Sequence, residues 1–343
     1  LQLPLTMTYT NDANLTISGI NLLLRPVKTQ TPQPSLKDWL KTLKYPPIWI
    51  THSQTNGMAR ILPILPKACH YSTLIQAIYQ QLTWDTFVEW QNAIHAISGV
   101  EINTQPLHTV EFSISAITPL STRLGRGIHA LFFRWIDIAD SALAAELHQQ
   151  SVPAFSLSIQ SLYPRQLKVK INLFKPELLA PLLWGMSHDL GQQIRLGRIP
   201  CYLSNRAKLV RSSSFEALTQ VPTQNVISLE FLSLTSFKQQ QKIQPFPLPE
   251  LVFGSLWRRW NHFAPTELQF PEIEWDGMVL SYDLKTQPLQ MDEIKDMGAI
   301  GEVDYRFSCP QQARIATILA HFAEFSGVGR KTAMGMGEVE LRE

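Results

Sequence analysis

From residue 110 to the end, apolar and polar positions follow a countable order of strand and helix periods. Residues 110–115 alternate as a strand does. Residues 127–150 carry helical spacing, with a break expected at Asp140-Ser141, where an aspartate can cap a fresh helix. Residues 155–162 and 166–174 read as strands, the second setting Leu167, Val169, Ile171 and Leu173 against Lys168, Lys170 and Asn172. Pro176 opens another helix reaching about His188, and 194–211 is extended. The order is β-α-β-β-α-β, the ferredoxin-like arrangement. A second pass follows: a strand at 226–234, an aromatic-rich helix at 248–263, strands at 273–284 and 298–308, a helix at 313–326 and a strand at 336–341. The expected fold class is therefore α+β, with two tandem ferredoxin-like (RRM-like) domains that meet along a cleft.

Residues 1–108 do not keep this order. They hold proline-rich patches, one expected helix from about Tyr71 to Ser98, and strands near 15–24 and 48–51. The expected division is an appended N-terminal module over 1–108, a first ferredoxin-like domain over 109–211, a polar linker over 212–225, and a second domain over 226–343.

Composition narrows the chemistry. The net charge is only +2, so any polyanion site must be local. Basic residues do cluster: Arg195, Arg198, Arg206, Lys208 and Arg211 occur without an intervening acid, and Arg258-Arg259 and Arg330-Lys331 form doublets. Such clusters suit nucleic acid, although each alone also reads as solvated surface. Cys69, Cys201 and Cys309 are scattered, so neither a zinc site nor a disulfide framework is expected, and a reduced cytoplasmic setting fits. No apolar run reaches the length of a membrane span, and no signal-peptide pattern is expected. No cofactor or metal site is expected.

The last seventeen residues carry glycines at 327, 329, 335 and 337 around Arg330, Lys331 and Thr332. A loop without Cβ bulk, two cations and a hydroxyl promise phosphate binding through backbone N–H groups. A nucleotide P-loop is the competing reading. It fails because an arginine intrudes before Lys331, and because a helix precedes the loop where a P-loop requires a strand.

These residues, with Gly298-Ala-Ile-Gly-Glu-Val-Asp-Tyr305, Arg126-Gly-Ile-His-Ala-Leu-Phe-Phe133 and Leu147-His148 followed by Pro153-Ala-Phe-Ser-Leu-Ser158, resemble the Cas6 family of CRISPR repeat endoribonucleases. The likeness covers about two-thirds of the chain; residues 1–108 have no counterpart in it. It implies metal-independent cleavage of the repeat hairpin of a long CRISPR transcript, in which a 2′-hydroxyl attacks the adjacent phosphate to leave a 2′,3′-cyclic phosphate and a 5′-hydroxyl. It also implies repeat RNA, as precursor and mature crRNA, as a partner. Delivery to an effector complex and homodimer formation are compatible with it.

That reaction needs a base, an acid and a cation, and histidine suits either proton transfer. His148 is the first candidate: it ends a helical segment, where helix-end carbonyls attract a cation and where family members with a catalytic histidine carry it. His129 is the second. In one unbroken helix the two would stand about 28 Å apart, so only a sharp turn near Asp140 unites them, and packing or RNA contact is the expected role of His129. The tyrosine and lysine frequent in the family correspond to Phe133 and Ala154, leaving Lys168, Lys170 or Arg126 to take their place. The expected RNA contacts are Arg126, Arg195, Arg198, Arg206, Lys208, Arg211, Arg258 and Arg259, with Arg330, Lys331, Thr332 and glycines Gly327, Gly329, Gly335 and Gly337 at the loop. Two alternatives stay open: a non-catalytic RNA-binding subunit, and a metal-dependent nuclease, for which no acidic cluster has ligand spacing.

Overall fold

A computed structural model describes residues 16–28, 31–55, 58–83, 86–121, 124–291 and 294–342. The start of the chain, where the absence of a signal peptide was expected, lies outside the described residues.

The first repeat is β6 (Leu107–Ala116), α2 (Gly125–Ala139), α3 (Ser141–Gln149), β7 (Phe155–Tyr163), β8 (Gln166–Leu173), α4 (Leu179–Ser187), β9 (Gln193–Leu196), β10 (Ile199–Leu203) and β11 (Lys208–Ser213). Its sheet runs β7-β8-β6-β10-β9, and β11 pairs with the other end of β6. Strand alternation explains the core: Val110, Phe112, Ile114, Leu157, Ile159, Val169 and Ile171 lie buried with Phe132, Trp135 and Ile136 of α2, while Lys168 and Lys170 fall on the opposite face.

The second repeat is β12 (Val226–Thr235), a short hairpin of β13 (Phe237–Gln239) and β14 (Lys242–Gln244), α6 (Pro249–Phe263), β15 (Met278–Met291), β16 (Ile294–Arg306), α7 (Pro310–Ser326) and β17 (Val339–Arg342). Its sheet order, β15-β16-β12-β17, matches β7-β8-β6-β10 of the first half, which β9 and β11 extend, and every pairing is antiparallel. Two ferredoxin-like halves in tandem are thus present. Trp260 is fully buried and Trp257 donates its indole N–H to the Pro271 carbonyl at 2.8 Å, so this tryptophan pair serves the core. Between the halves, the expected polar linker holds a short helix, α5 (Phe215–Leu218), whose Phe215 and Leu218 are buried in the second core. Two apolar residues at one helical turn suffice for that anchoring.

The N-terminal residues build a five-stranded sheet in the order β2-β3-β1-β5-β4, from β1 (Gly19–Pro26), β2 (Ile48–Thr55), β3 (Met58–Ile64), β4 (Phe87–Trp90) and β5 (Ala93–Asn103), with α1 (Tyr71–Leu82). The helix expected to reach Ser98 ends at Leu82. Gln91 and Asn92 both adopt positive φ and join β4 to β5 in a two-residue turn, with Trp90 opposite Ala93. This sheet is seated on the first repeat: Leu62 and Ile64 enter the core of that repeat, and Ala180 of α4 enters the N-terminal core.

Candidate functional site

Helix α2 ends at Asp140, which leaves helical geometry (φ −155, ψ 96) and accepts the Leu143 N–H as the N-cap of α3. The elbow folds α3 back along α2. His148 stacks on Phe133, ring centroids 3.6 Å apart, and His129, one turn before Phe133, lies 4.9 Å from the same ring. The sharp turn therefore does bring the two histidines to one aromatic ring. His148 is exposed and His129 half-buried against Phe155 as well. Burial, reinforced by the nearby His148, pushes the His129 imidazole below its usual pKa. A neutral imidazole is a proton acceptor.

A residue of the N-terminal unit holds this elbow. Lys67 reaches Asp140 at 2.6 Å. Burial works against ionisation of Asp140, but the Lys67 ammonium and the cap N–H groups prevail and hold its carboxyl below the usual range. Sequence reasoning did not single out Lys67, because nothing in its local pattern announces a partner 73 positions away.

The glycine-rich segment meets the same helix. Its short turn, Thr332–Met334, abuts the first residue of α2 so closely that a Cβ on Gly125 would stand 1.9 Å from the Met334 carbonyl oxygen. Arg126, exposed, shares the helix face of His129 at i, i+3. The β9 edge lies alongside, where a Cβ on Gly127 would meet Leu196 at 3.4 Å, and Arg195 and Arg198 are exposed on β9 and its turn. Arg126, the Arg195–Arg198 edge and the Thr332–Met334 turn thus lie at the start of α2, and the two histidines meet at Phe133 farther along the same helix.

Four expectations need correction. The amides of the glycine loop are mostly spent within the protein: Gly327 donates to Ala323, Val328 to Gly337, Arg330 to Ser236, Gly335 to Thr332 and Gly337 to Leu234, all through carbonyl oxygens. Gly327, Gly329, Gly335 and Gly337 all have positive φ, so they serve the path of the loop. Thr332 is buried. Arg259 points inward, donating to the carbonyls of Ser326 at 2.7 Å, Gly327 at 3.0 Å and Gly329 at 3.4 Å; Arg258 beside it is exposed. Lys168 and Lys170 cannot replace the missing cation near His148, because they project from the other sheet face and pair with Glu111 and Glu338.

That other face forms the groove between the halves. Ser156 donates to the Phe325 carbonyl at 2.6 Å and Gln160 to Glu338 at 2.8 Å, while Arg211 pairs with Glu324 at 2.8 Å. The five-cation cluster of residues 195–211 is therefore divided among three places: Arg195 and Arg198 beside α2, Arg211 in the groove, and Arg206 and Lys208 toward the N-terminal sheet. Among the described residues no group of three or more His, Cys, Asp or Glu could hold a metal ion, and no helix is long and apolar enough to cross a membrane.

Comparison with known proteins agrees with this architecture. A family model described as CRISPR-associated endoribonuclease Cas6 matches residues 229–339, the second repeat with its glycine loop. The second repeat is thus similar to the Cas6 family. A CRISPR-associated endoribonuclease Cas6 from Streptococcus thermophilus is 26% identical over 137 residues, 37% of this chain and 55% of that protein. The chain thus spans about half the length of this curated relative. Among solved structures, one Cas6 product complex superposes with a TM-score of 0.61 at 24% identity, covering 69% of this chain and 100% of that one. A second gives 0.58 at 25% identity, covering 69% and 99%. About a third of this chain has no counterpart in either.

Proposed function

We propose that the protein is a metal-independent endoribonuclease that processes CRISPR precursor RNA within the repeat. The observation that carries this reading is the convergence of His129 and His148 on Phe133 of α2, the helix whose first turn carries Arg126 and meets the glycine-rich segment. His129, kept neutral by burial, takes the proton of the attacking 2′-hydroxyl; His148, exposed at the end of α3, protonates the departing 5′-oxygen. Arg126 and the α2 start face the phosphate, whose negative charge grows as the 2′-oxygen adds and the 5′-oxygen leaves. The product carries a 2′,3′-cyclic phosphate and a 5′-hydroxyl, and the processed RNA is handed to an effector complex.

The second reading, a repeat-RNA-binding subunit without catalysis, is favoured by one observation. Phe133 lies between the histidines with no hydroxyl to offer, and Ala154 is 1% exposed with no charge. The experiment that separates them is incubation with end-labelled repeat RNA in excess EDTA, beside the same RNA with one 2′-deoxy nucleotide at the cut. Cleavage to a cyclic phosphate that the deoxy substitution abolishes supports the nuclease. Tight binding without product supports the carrier.

A further inference from the structure

A cleft of about 590 Å³ opens between the N-terminal sheet and the β10–β11 connection, away from the histidine site. Trp49 and His52 of β2 and Trp90 at the β4–β5 turn line it on one side; Asn205, Arg206 and Lys208 line it on the other. No carboxylate is among its lining residues, in a chain whose charges nearly cancel. Arg206 and Lys208 are exposed, and neither forms an ion pair among the described residues. The indole N–H groups of Trp49 and Trp90 are both buried without an acceptor, as is that of Trp39 packed behind Trp49. Tryptophan N–H groups in folded proteins are ordinarily paired, so these three are left without a protein partner. His52 is fixed in orientation by Asn21, 2.9 Å from its Nδ1.

We propose that this cleft binds a single-stranded segment of RNA flanking the processed hairpin, so that the N-terminal unit extends the RNA path. The proposal rests on the RNA-processing reading above. Two indoles on one wall, two cations on the other and no acid are the combination that grips unpaired nucleotides: bases stack on the indoles and phosphates meet the guanidinium and ammonium. The volume lies within the range of small-molecule pockets, enough for a nucleotide-sized ligand. Continuity supports RNA over any other polyanion. Arg198 in the β9–β10 turn borders the α2 site, and Arg206 lies three residues beyond the far end of β10, a strand of five residues or about 17 Å. A strand leaving the histidine site along β10 therefore enters the cleft.

The test uses the full chain and two RNAs: the repeat hairpin alone, and the hairpin with a single-stranded flank of graded length. The quantity read is the ratio of their affinities. In the unaltered protein the flank is expected to tighten binding about tenfold, the scale of one or two stacked bases. Arg206→Glu with Lys208→Glu, both exposed, and Trp90→Ala should each bring the ratio to about one, and Trp90→Phe should restore it, because a phenyl ring still stacks. Photo-crosslinking of iodouridine in the flank should label Trp49 or Trp90. A ratio near one in the unaltered protein, or one that the variants leave unchanged, overturns the proposal alone, since hairpin binding then still stands. Failure to bind the hairpin at all overturns the RNA reading and this proposal with it. Displacement of the flank by a polyglutamate peptide but not by oligouridylate would make the cleft a peptide site and also overturn it.

Discussion

Replacing Arg259 by leucine separates scaffold from contact. The guanidinium lies inside the protein, where burial and, secondarily, the charge of Arg258 push it down to about 10, still leaving it cationic at neutral pH. Its three acceptors are the carbonyls of Ser326, Gly327 and Gly329, the end of α7 and the first turns of the glycine segment. Each hydrogen bond to a charged donor is worth about 1.5–3 kcal/mol, and part of that is returned because leucine no longer buries a charge. A net loss of about 3 kcal/mol follows, read as a lower urea midpoint. If Arg259 is scaffold, the dependence of RNA affinity on salt keeps its slope in the variant even as affinity falls. Arg198→Ala, which removes an exposed cation beside α2, should instead reduce the slope by about 0.7–0.9. An Arg259→Leu protein of unchanged stability whose salt slope drops by that same amount would refute the reasoning and return Arg259 to the RNA surface.

Further outcomes follow from the same geometry. Gly125→Ala places a Cβ against the Met334 carbonyl and should cost at least about tenfold in cleavage by parting the glycine turn from α2; Gly197→Ala, also at a glycine but with nothing within 4 Å, carries only positive-φ strain of about 1 kcal/mol. Asp140→Ala removes the cap of α3 at a cost of about 1 kcal/mol and frees Lys67, so cleavage should fall; Asp140→Asn keeps the cap and should retain more activity. Burial pushes His108 down to about 4, so between pH 6.5 and 4 the unfolded chain takes up a proton that the folded one refuses. Stability should therefore fall by about 3 kcal/mol as pH drops through that window, and His108→Asn should flatten the profile in urea titrations at each pH.

Much of the fold was legible because period carries it. Leu167, Val169 and Ile171 against Lys168 and Lys170 state both the strand and its two faces, and Asp140 before an apolar helix states a cap. The N-terminal sheet was less legible. Gln91 and Asn92 make a positive-φ turn without the glycine that normally announces one, so the helical reading ran on to Ser98. At the site, His148 and His129 were recognisable by type, but their meeting at Phe133 depends on the angle of one elbow. The glycine segment was recognisable as a loop, while the destination of its amides was not, since their acceptors include Leu234 and Ser236, about a hundred positions away. Arg258 and Arg259 look alike in sequence; one helix step of about 100° sends one to solvent and the other to three carbonyls. Trp49, His52 and Trp90 were missed because they meet Arg206 and Lys208 only through tertiary packing.

The most direct measurement is cleavage of end-labelled repeat RNA in EDTA by the unaltered protein, His148→Ala and His129→Ala, with binding followed in parallel. The account predicts cyclic-phosphate ends from the unaltered protein, and a rate loss of about 100-fold or more in each variant while RNA is still bound. Equal cutting by all three proteins, or ends bearing a 5′-phosphate, would contradict it.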